Sequence, residues 1–232
     1  EAAKPLANGQ QIVACPLHET PPNCMRFVAG GTFFLGAQAS DPAGRNFDPD
    51  AQPDEGPVRE VTVGAFWMHH AEVTTSQFLF CVAARACRHE DVKTGGGYFN
   101  VGVPGRHINP ANGVTLRGAR DYCRFIGGRL PTDAEWEYAA RTSEGFTYPW
   151  GETRPGPTDR LCWNRSGGSC PVGTFPATRG LFDLAGNVRE WVADFGAPLG
   201  SCFRGITPIV DPLCSTSSTA HRIVRNASWA SS

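Results

Sequence analysis

Several familiar functional signals are missing from this sequence. No stretch approaches the ~20 consecutive apolar residues that a membrane-spanning helix needs. The formal net charge is −1, from 21 basic and 22 acidic residues, and no basic stripe favours nucleic acid as a partner. No GxSxG motif surrounds a serine, so the six histidines do not indicate a serine hydrolase. These absences disfavour three broad classes of function.

Charge is also scarce, and turn-forming residues are abundant. Charged residues make up 19% of the chain and apolar residues 41%, a composition typical of a globular protein. The 27 glycines and 19 prolines interrupt helices and strands, so we expect many turns and little regular structure. A chain of 232 residues can still bury a sizeable core as one large domain.

The nine cysteines lack the CxxC spacing of a zinc site. Eight of them form four short-range couples, and the ninth, Cys123, falls among residues with helical apolar spacing, which predicts a buried free thiol. Four local disulfides would place the protein in an oxidising compartment, although sequence alone does not fix the pairing. The predicted pairs are Cys15–Cys24, Cys81–Cys87, Cys162–Cys170 and Cys202–Cys214.

The chain opens on "EAAKPLANGQ" with no initiator Met, which we interpret as the start of a mature protein whose signal peptide has been removed. Together with the cysteines, this predicts a secreted, periplasmic or cell-surface location. Residues 1–24 are expected to form an N-terminal tail closed by the first disulfide, and residues 25–232 a single domain.

Apolar periodicity predicts a few regular elements. The segment "FVAGGTFFLG" resembles a hairpin around a Gly-Gly turn, and "REVTVGAFWMHHAEVT" should contain a strand. A helix is expected in "TTSQFLFCVAARA", with Thr74 or Thr75 as its N-cap. The chain after the last predicted helix is expected to be mostly loop, closed by a strand in "HRIVRNASW".

The segment from residue 114 to residue 151 is the best organised. Its apolar spacing predicts a helix from Leu116 to Ile126 that ends at a Gly-Gly pair. A second helix should begin at Thr132, where Thr132 and Glu135 form a capping box. Glu137 is expected on the surface of that helix.

Six segments together resemble the family of sulfatase-modifying factors, or formylglycine-generating enzymes. They occur in the family's order and cover residues 27–229. This resemblance implies an α+β fold, the formylglycine-generating-enzyme-type variant of the C-type lectin fold, with low regular secondary structure and disulfide staples. The segments are "FVAGGTFFLG", "DEGPVREVTVGAFWMHHAEVTTSQF", "ARDYCRFIGGRLPTDAEWEYAAR", "YPWG", "GLFDLAGNVREW" and "HRIVRNASW".

The oxidising members of the family convert a substrate cysteine to formylglycine with copper held by two thiolates. The first thiolate follows a segment that here reads "RNASWASS", in which Asn226 and Ala227 replace a glycine pair and Ser231 stands at the cysteine position. Serine is a poor ligand for Cu(I), which prefers soft thiolates, so copper is not expected. The chain stops at Ser232, and we expect that the C-terminal element of the family is truncated.

The resemblance also implies a calcium site in "GLFDLAGNVREW". Its ligands would be the side chains of Asp183 and Glu190 and the carbonyls of Gly186 and Val188, a set of hard oxygen donors that suits Ca²⁺. Without the resemblance, a Gly-Asn turn with solvated charges explains the same residues. A second, weaker calcium site would use Asn164 and the Arg165 carbonyl, but no acidic residue lies between Arg165 and Val172.

Two functions follow as alternatives. The first is a non-oxidising sulfatase-modifying-factor-like domain that acts as a calcium-stabilised binding or scaffold module, a pseudoenzyme. Its partner would be another protein, or alternatively a glycan, bound by the loops at 37–57, 91–107 and 195–219. The second is a formylglycine-generating oxidoreductase whose chemistry uses a site that the motifs do not show.

Overall fold

A computed structural model of the chain describes residues 13–14, 24–95, 97–156, 160–215 and 221–230. Short strands and helices alternate with long loops, as the glycine and proline content predicts. The strands are β1 (Val13–Ala14), β2 (Cys24–Val28), β3 (Gly31–Leu35), β4 (Arg59–Val63), β5 (Phe66–His69), β6 (Glu190–Phe195), β7 (Ile209–Val210) and β8 (Arg222–Arg225). The helices are α1 (Thr75–Ala83), α2 (Leu116–Phe125), α3 (Asp133–Arg141) and α4 (Leu199–Cys202).

The strands form three small sheets, ordered β1-β2-β5, β3-β4-β7 and β6-β8. The predicted hairpin over "FVAGGTFFLG" is wrong, because β2 pairs with β5 and β3 pairs with β4. Gly30 and Gly31, both at positive φ, carry the chain from one sheet to the next. A Cβ on Gly30 would lie 2.4 Å from the Val63 carbonyl oxygen, so the two sheets meet where only glycine fits.

The three longer helices begin as the sequence predicts. Thr74 caps α1 and Thr132 caps α3, each in a reciprocal capping box with the residue three positions on. In α3 that residue is Glu135, whose carboxylate accepts the Thr132 backbone N–H at 2.8 Å. Thr115 caps α2, which ends at Phe125, one residue before the predicted end.

Helix α3 packs between two hydrophobic clusters, and every residue from Asp133 to Ala140 is buried. Ala134 and Tyr138 pack against the β3-β4 sheet, whereas Trp136 packs with Leu184 and Val192 on the other side. Glu137 was expected on a helix surface, and that expectation is wrong: its side chain is 4% exposed. The helix is buried all round because loops cover the side that a typical amphipathic helix turns to solvent.

Three of the predicted cysteine pairs are disulfides in the structure: Cys81–Cys87, Cys162–Cys170 and Cys202–Cys214. Cys24 is also disulfide-bonded, and its predicted partner Cys15 lies outside the described residues, as does most of the predicted 1–24 tail. Cys123 is the free thiol among the described cysteines, is half-buried, and has a pKa raised by burial to about 11. No helix within the described ranges is long and apolar enough to cross a membrane.

Candidate metal centre

The turn that precedes β6 has an unusual backbone. Asp183, Gly186 and Asn187 adopt φ values of 54°, 85° and 60°, all in the left-handed region. Three such residues within five positions coil the chain tightly, because each one reverses the local direction of the backbone. A Cβ on Gly186 would lie 2.7 Å from the Cys162 carbonyl oxygen, so this position requires glycine.

Asn226, just after β8, braces this turn through three hydrogen bonds. Its amide nitrogen donates to the carbonyls of Asp183 at 2.8 Å and Gly186 at 2.7 Å, and its oxygen accepts the Gly186 N–H at 2.7 Å. Asn226 itself has a φ of 77°, a conformation that favours glycine but that asparagine tolerates. Asn226 therefore adopts a backbone shape that favours glycine and adds a side-chain clamp on the turn.

Asn187 ties the turn to the Cys162–Cys170 loop. Its side chain is fully buried, its N–H donates to the Cys162 carbonyl at 2.7 Å, and its side-chain oxygen accepts the Cys170 N–H at 2.9 Å. The Asn187 carbonyl in turn accepts the N–H of Trp229 at 2.8 Å. A disulfide-closed loop and the segment after β8 thus hold the turn from two sides.

The structure adds a third carboxylate to the two that the sequence predicted. Asp183 is 8% exposed and accepts the Gly173 N–H at 2.7 Å through Oδ2, and Glu190 begins β6. Glu72, between β5 and α1, is also 8% exposed and lies close enough to Asp183 for that charge to raise its pKa. Neither Glu72 carboxylate oxygen has a hydrogen-bond partner among the described residues.

Burial dominates the electrostatics of these three acids. It raises the pKa of Glu72 well above the usual range, and the charges of Asp183 and Glu190 raise it further. Burial also raises the pKa of Asp183, and that of Glu190 to about 7. In the parts of the chain that the structure describes, no Lys or Arg forms an ion pair with any of the three.

This arrangement suits a hard cation. Buried carboxylates without a counter-charge are costly, and a bound divalent ion would neutralise them. No three side chains of His, Cys, Asp or Glu converge as a preformed metal site within the described residues, so backbone oxygens must supply part of any shell. The predicted carbonyls, Gly186 and Val188, lie on the coiled turn between the two predicted acids.

Sequence reasoning had no signal for Glu72 beyond its place in the family segment "HHAEVT". Its distance from the turn in sequence is more than a hundred residues, and no spacing rule joins the two segments. The contact arises because the Phe182 N–H donates to the His70 carbonyl at 2.8 Å, which places the β5–α1 connection beside the turn. Tertiary packing alone brings Glu72 to the turn, so no local sequence pattern predicts its place there.

A second group of buried acids lies on α3. Arg225 of β8 forms ion pairs with Asp133 and, at 3.1 Å, with Glu137 of α3. Arg141, one helical turn along, pairs with Glu137 at 2.9 Å. These acids have their own cations, so this group is a complete structural network that ties α3 to β8.

The other predicted site residues are not brought together with further ligands. Asn164 and Arg165 both lie exposed in the Cys162–Cys170 loop, and the Arg165 N–H donates to the Trp229 carbonyl at 2.9 Å. The weaker calcium site there stays a prediction. Ser231, the position expected to carry a copper thiolate in oxidising relatives, lies outside the described residues.

The fold and the turn define a class of protein, a loop-rich α+β domain with an acidic turn that Asn226 holds in place. Comparison with known families identifies this class. The family described as "Sulfatase-modifying factor enzyme 1-like domain" matches residues 13–232, so the chain belongs to that family. The resemblance inferred from the sequence is therefore confirmed.

Curated relatives carry different names. Formylglycine-generating enzyme of Thermomonospora curvata is 29% identical over 255 residues, covering 87% of this chain and 81% of that protein. Inactive C-alpha-formylglycine-generating enzyme 2 of Mus musculus is 29% identical over 246 residues, covering 83% and 77%. Serine/threonine-protein kinase Pkn1 of Chlamydia trachomatis is 34% identical over 186 residues, covering 74% of this chain, which spans only 28% of that relative's length.

Solved structures confirm the fold. PvdO from Pseudomonas aeruginosa superposes with a TM-score of 0.71 at 22% identity, covering 90% of this chain and 83% of that one. Treponema denticola variable protein 1 gives a TM-score of 0.60 at 21% identity, covering 90% and 84%. At these identities the similarity establishes the architecture, and function depends on the site itself.

Proposed function

We propose that this domain is a non-oxidising, calcium-stabilised binding or scaffold module that acts outside the reducing cytosol. The observation that carries the proposal is the contrast between its cysteines and its carboxylates. The thiols that copper chemistry needs are replaced or consumed in disulfides, whereas the oxygens that calcium needs are buried together without a counter-charge.

The carboxylate cluster supports calcium. Asp183 and Glu190 would donate side-chain oxygens, and Gly186 and Val188 would donate carbonyls, as the family resemblance implies. Glu72 supplies a third negative charge beside the ion, so that a divalent cation neutralises most of the cluster. Calcium would also hold the turn in its coiled shape, which the Asn226 side chain already braces through the Asp183 and Gly186 carbonyls.

The cysteines support the non-oxidising part. Copper in the oxidising relatives needs two neighbouring thiolates, and soft thiolate ligands are what select Cu(I). Seven of the described cysteines are disulfide-bonded, and Cys123 is a half-buried thiol with a raised pKa. Serine occupies position 231 in the sequence. The disulfides are also typical of proteins in oxidising compartments, which supports a secreted, periplasmic or cell-surface location.

The predicted binding loops have the internal support that a recognition surface needs. In the 37–57 loop, the Asn46 side chain donates to the carbonyls of Phe34 and Gly36, and Gln38 accepts the N–H groups of Ser40 and Asp41. The 195–219 region is closed by the Cys202–Cys214 disulfide. Ordered loops lose less conformational entropy when they bind a partner, which favours affinity.

The alternative function, a formylglycine-generating oxidoreductase, is favoured by the relative of that name in Thermomonospora curvata. One experiment separates the two. Purified protein, kept non-reduced, is titrated with Cu(I) in competition with a chromogenic chelator, and then incubated with oxygen and a cysteine-containing peptide. We expect no stoichiometric copper and no aldehyde product. One tightly bound copper with peptide oxidation would overturn the non-oxidising proposal.

A further inference from the structure

Three segments of this chain carry cations and no acidic residue at all. They are residues 92–120, 160–182 and 221–232, and none of them contains Asp or Glu. The acids are concentrated elsewhere, for example in the 37–57 loop. A net charge near zero for the whole chain therefore conceals a strongly uneven distribution.

The fold joins these three segments into one surface. The side chain of Asn100 donates to Ser169 Oγ at 2.8 Å, and the Val172 N–H donates to the Ile108 carbonyl at 3.0 Å, which joins the first segment to the second. The Arg165 N–H donates to the Trp229 carbonyl at 2.9 Å, which joins the second to the third. We name the surface formed by residues 92–95, 97–112, 164–175 and 226–230 the basic aromatic face.

An aromatic pair lies at the centre of this face. The rings of Tyr98 and Trp229 are 4.8 Å apart between centroids, and Tyr98 is 60% exposed. Trp229 packs from beneath against Phe175 and the Cys162–Cys170 disulfide, so the pair stands on a rigid support. Exposed aromatic side chains on a rigid support are the residues that most often dominate protein-binding surfaces.

Cations flank the aromatic pair. The Arg165 guanidinium lies 5.8 Å above the Phe175 ring, and the Lys93 ammonium lies 5.2 Å above the Phe99 ring. Arg106 donates to the Asn100 side chain at 2.9 Å. Within the described residues, none of these three cations forms an ion pair with a carboxylate.

We propose that the basic aromatic face binds an acidic polypeptide segment that also presents an apolar side chain. The inference rests on the proposed binding function and names the chemistry of the partner. Unpaired cations attract carboxylates and orient them, while the Tyr98–Trp229 pair offers area for an apolar side chain. A polypeptide fits better than nucleic acid, because the cations are few and surround a hydrophobic pair instead of following a stripe.

The test uses the whole chain and a fluorescein-labelled peptide that alternates Glu with Leu, followed by fluorescence anisotropy at low salt. A peptide of the same length with Lys in place of Glu is the ligand control. Arg165→Glu and Tyr98→Ala alter the face. Arg85→Glu and Phe80→Ala are matched controls, since Arg85 is exposed in the turn after α1, outside the predicted binding loops, and Phe80 is 59% exposed on α1.

We expect saturable binding of the acidic peptide, weakened about tenfold by Arg165→Glu and about fivefold by Tyr98→Ala, with less than about a twofold change in the controls. Binding of the Lys peptide with equal affinity would overturn the proposal, as would an equal loss with Arg85→Glu. An unlabelled DNA oligonucleotide or heparin that binds to this face when the acidic peptide does not would also overturn it.

The two proposals fail in distinguishable ways. If the acidic peptide does not bind while the protein shows calcium binding and no copper, the identity of the partner is wrong and the binding-module function stands. If copper and peptide oxidation are found, the proposed function fails whatever the anisotropy shows. Circular dichroism of each variant shows that a loss of binding is not a loss of fold.

Discussion

Two clusters of acids with little exposure to solvent lie in this domain, and they are neutralised in opposite ways. Asp133 and Glu137 face Arg225 and Arg141, so the cations that they need are part of the chain. The charges of Asp183 and Glu190 act on Glu72, and none of these three acids forms an ion pair among the described residues. Burial therefore raises the pKa values of the second cluster, most strongly for Glu72 and to about 7 for Glu190.

This difference shows which cluster has its charge neutralised by residues of the folded chain itself. A buried ion pair is held by its own hydrogen bonds, and breaking it leaves a charge that nothing else compensates. A buried group of like charges keeps its shape only if a proton or an outside cation joins it. The first cluster is therefore structural, and the second indicates a ligand, for which calcium is our proposal.

The largest expected effect comes from breaking the self-neutralised cluster. Arg225→Met leaves Asp133 without its partner and Glu137 with Arg141 alone, and should lower the free energy of unfolding by about 3–5 kcal/mol. Urea denaturation followed by tryptophan fluorescence measures this. Arg88→Met is the control, because Arg88 pairs with Glu90 at the surface, where both side chains are more than 60% exposed, and should cost under about 1 kcal/mol. Equal losses in the two variants would contradict the distinction.

The second prediction is that calcium reverses the effect of one substitution on the free energy of unfolding. In calcium-free protein at pH 8, Glu72→Gln should raise the free energy of unfolding by roughly 2–3 kcal/mol, because it removes an uncompensated buried acid. In saturating calcium the wild type should become the more stable of the two. Thermal unfolding with EGTA and then with excess calcium measures both states.

Glu60→Gln provides the matched control for that inversion. Glu60 is exposed on β4, so its substitution should change stability little in either condition. If Glu72→Gln is destabilising to the same degree with and without calcium, Glu72 has no electrostatic connection with a bound ion, and its role is packing alone.

The sequence allowed the family, the three helix starts and the short-range disulfides to be predicted, because caps and close cysteines are local signals. The pairing of β2 with β5 could not be predicted, since a Gly-Gly turn between apolar runs fits a hairpin equally well. Strand β6 was missed for a related reason. Its residues continue directly from the coiled turn, so the segment reads as one loop.

Half of the acidic turn was predictable in the same local way. Asp183 and Glu190 lie seven positions apart on one segment, and the family resemblance assigned them. Glu72 and Asn226 come from segments distant in sequence, and only tertiary packing brings them to the turn. Glu137 was placed on a surface for the converse reason, because nothing local indicates that Arg225 lies beside it.

The third and smallest prediction concerns Asp194, which is intermediate between the two clusters. Its carboxylate has backbone hydrogen-bond donors but forms no ion pair among the described residues. Its carboxylate is 2% exposed and accepts the backbone N–H groups of Asp133 and Cys214, both at 2.7 Å. Burial nevertheless raises its pKa from 3.8 to about 6. A folded-state pKa above the unfolded value means that stability is greatest while Asp194 is protonated and falls as pH rises between these two values.

Asp194→Asn should flatten that dependence by roughly 1–2 kcal/mol over the same pH range. Urea denaturation of both proteins across pH 4–7, in saturating calcium, measures the two slopes. The comparison of slopes separates the titration from any uniform loss caused by the altered hydrogen bonds. Parallel curves would show that ionisation of Asp194 does not contribute to the pH dependence.

The most direct test of the central claim is isothermal titration of calcium into the chelator-treated protein. We expect one equivalent of calcium per chain in the wild type and no measurable binding in the Asp183→Ala/Glu190→Ala variant, whose circular dichroism should show a retained fold. Absence of calcium binding to the wild type, or unchanged binding to the variant, would show that the turn and its buried acids are not a calcium site.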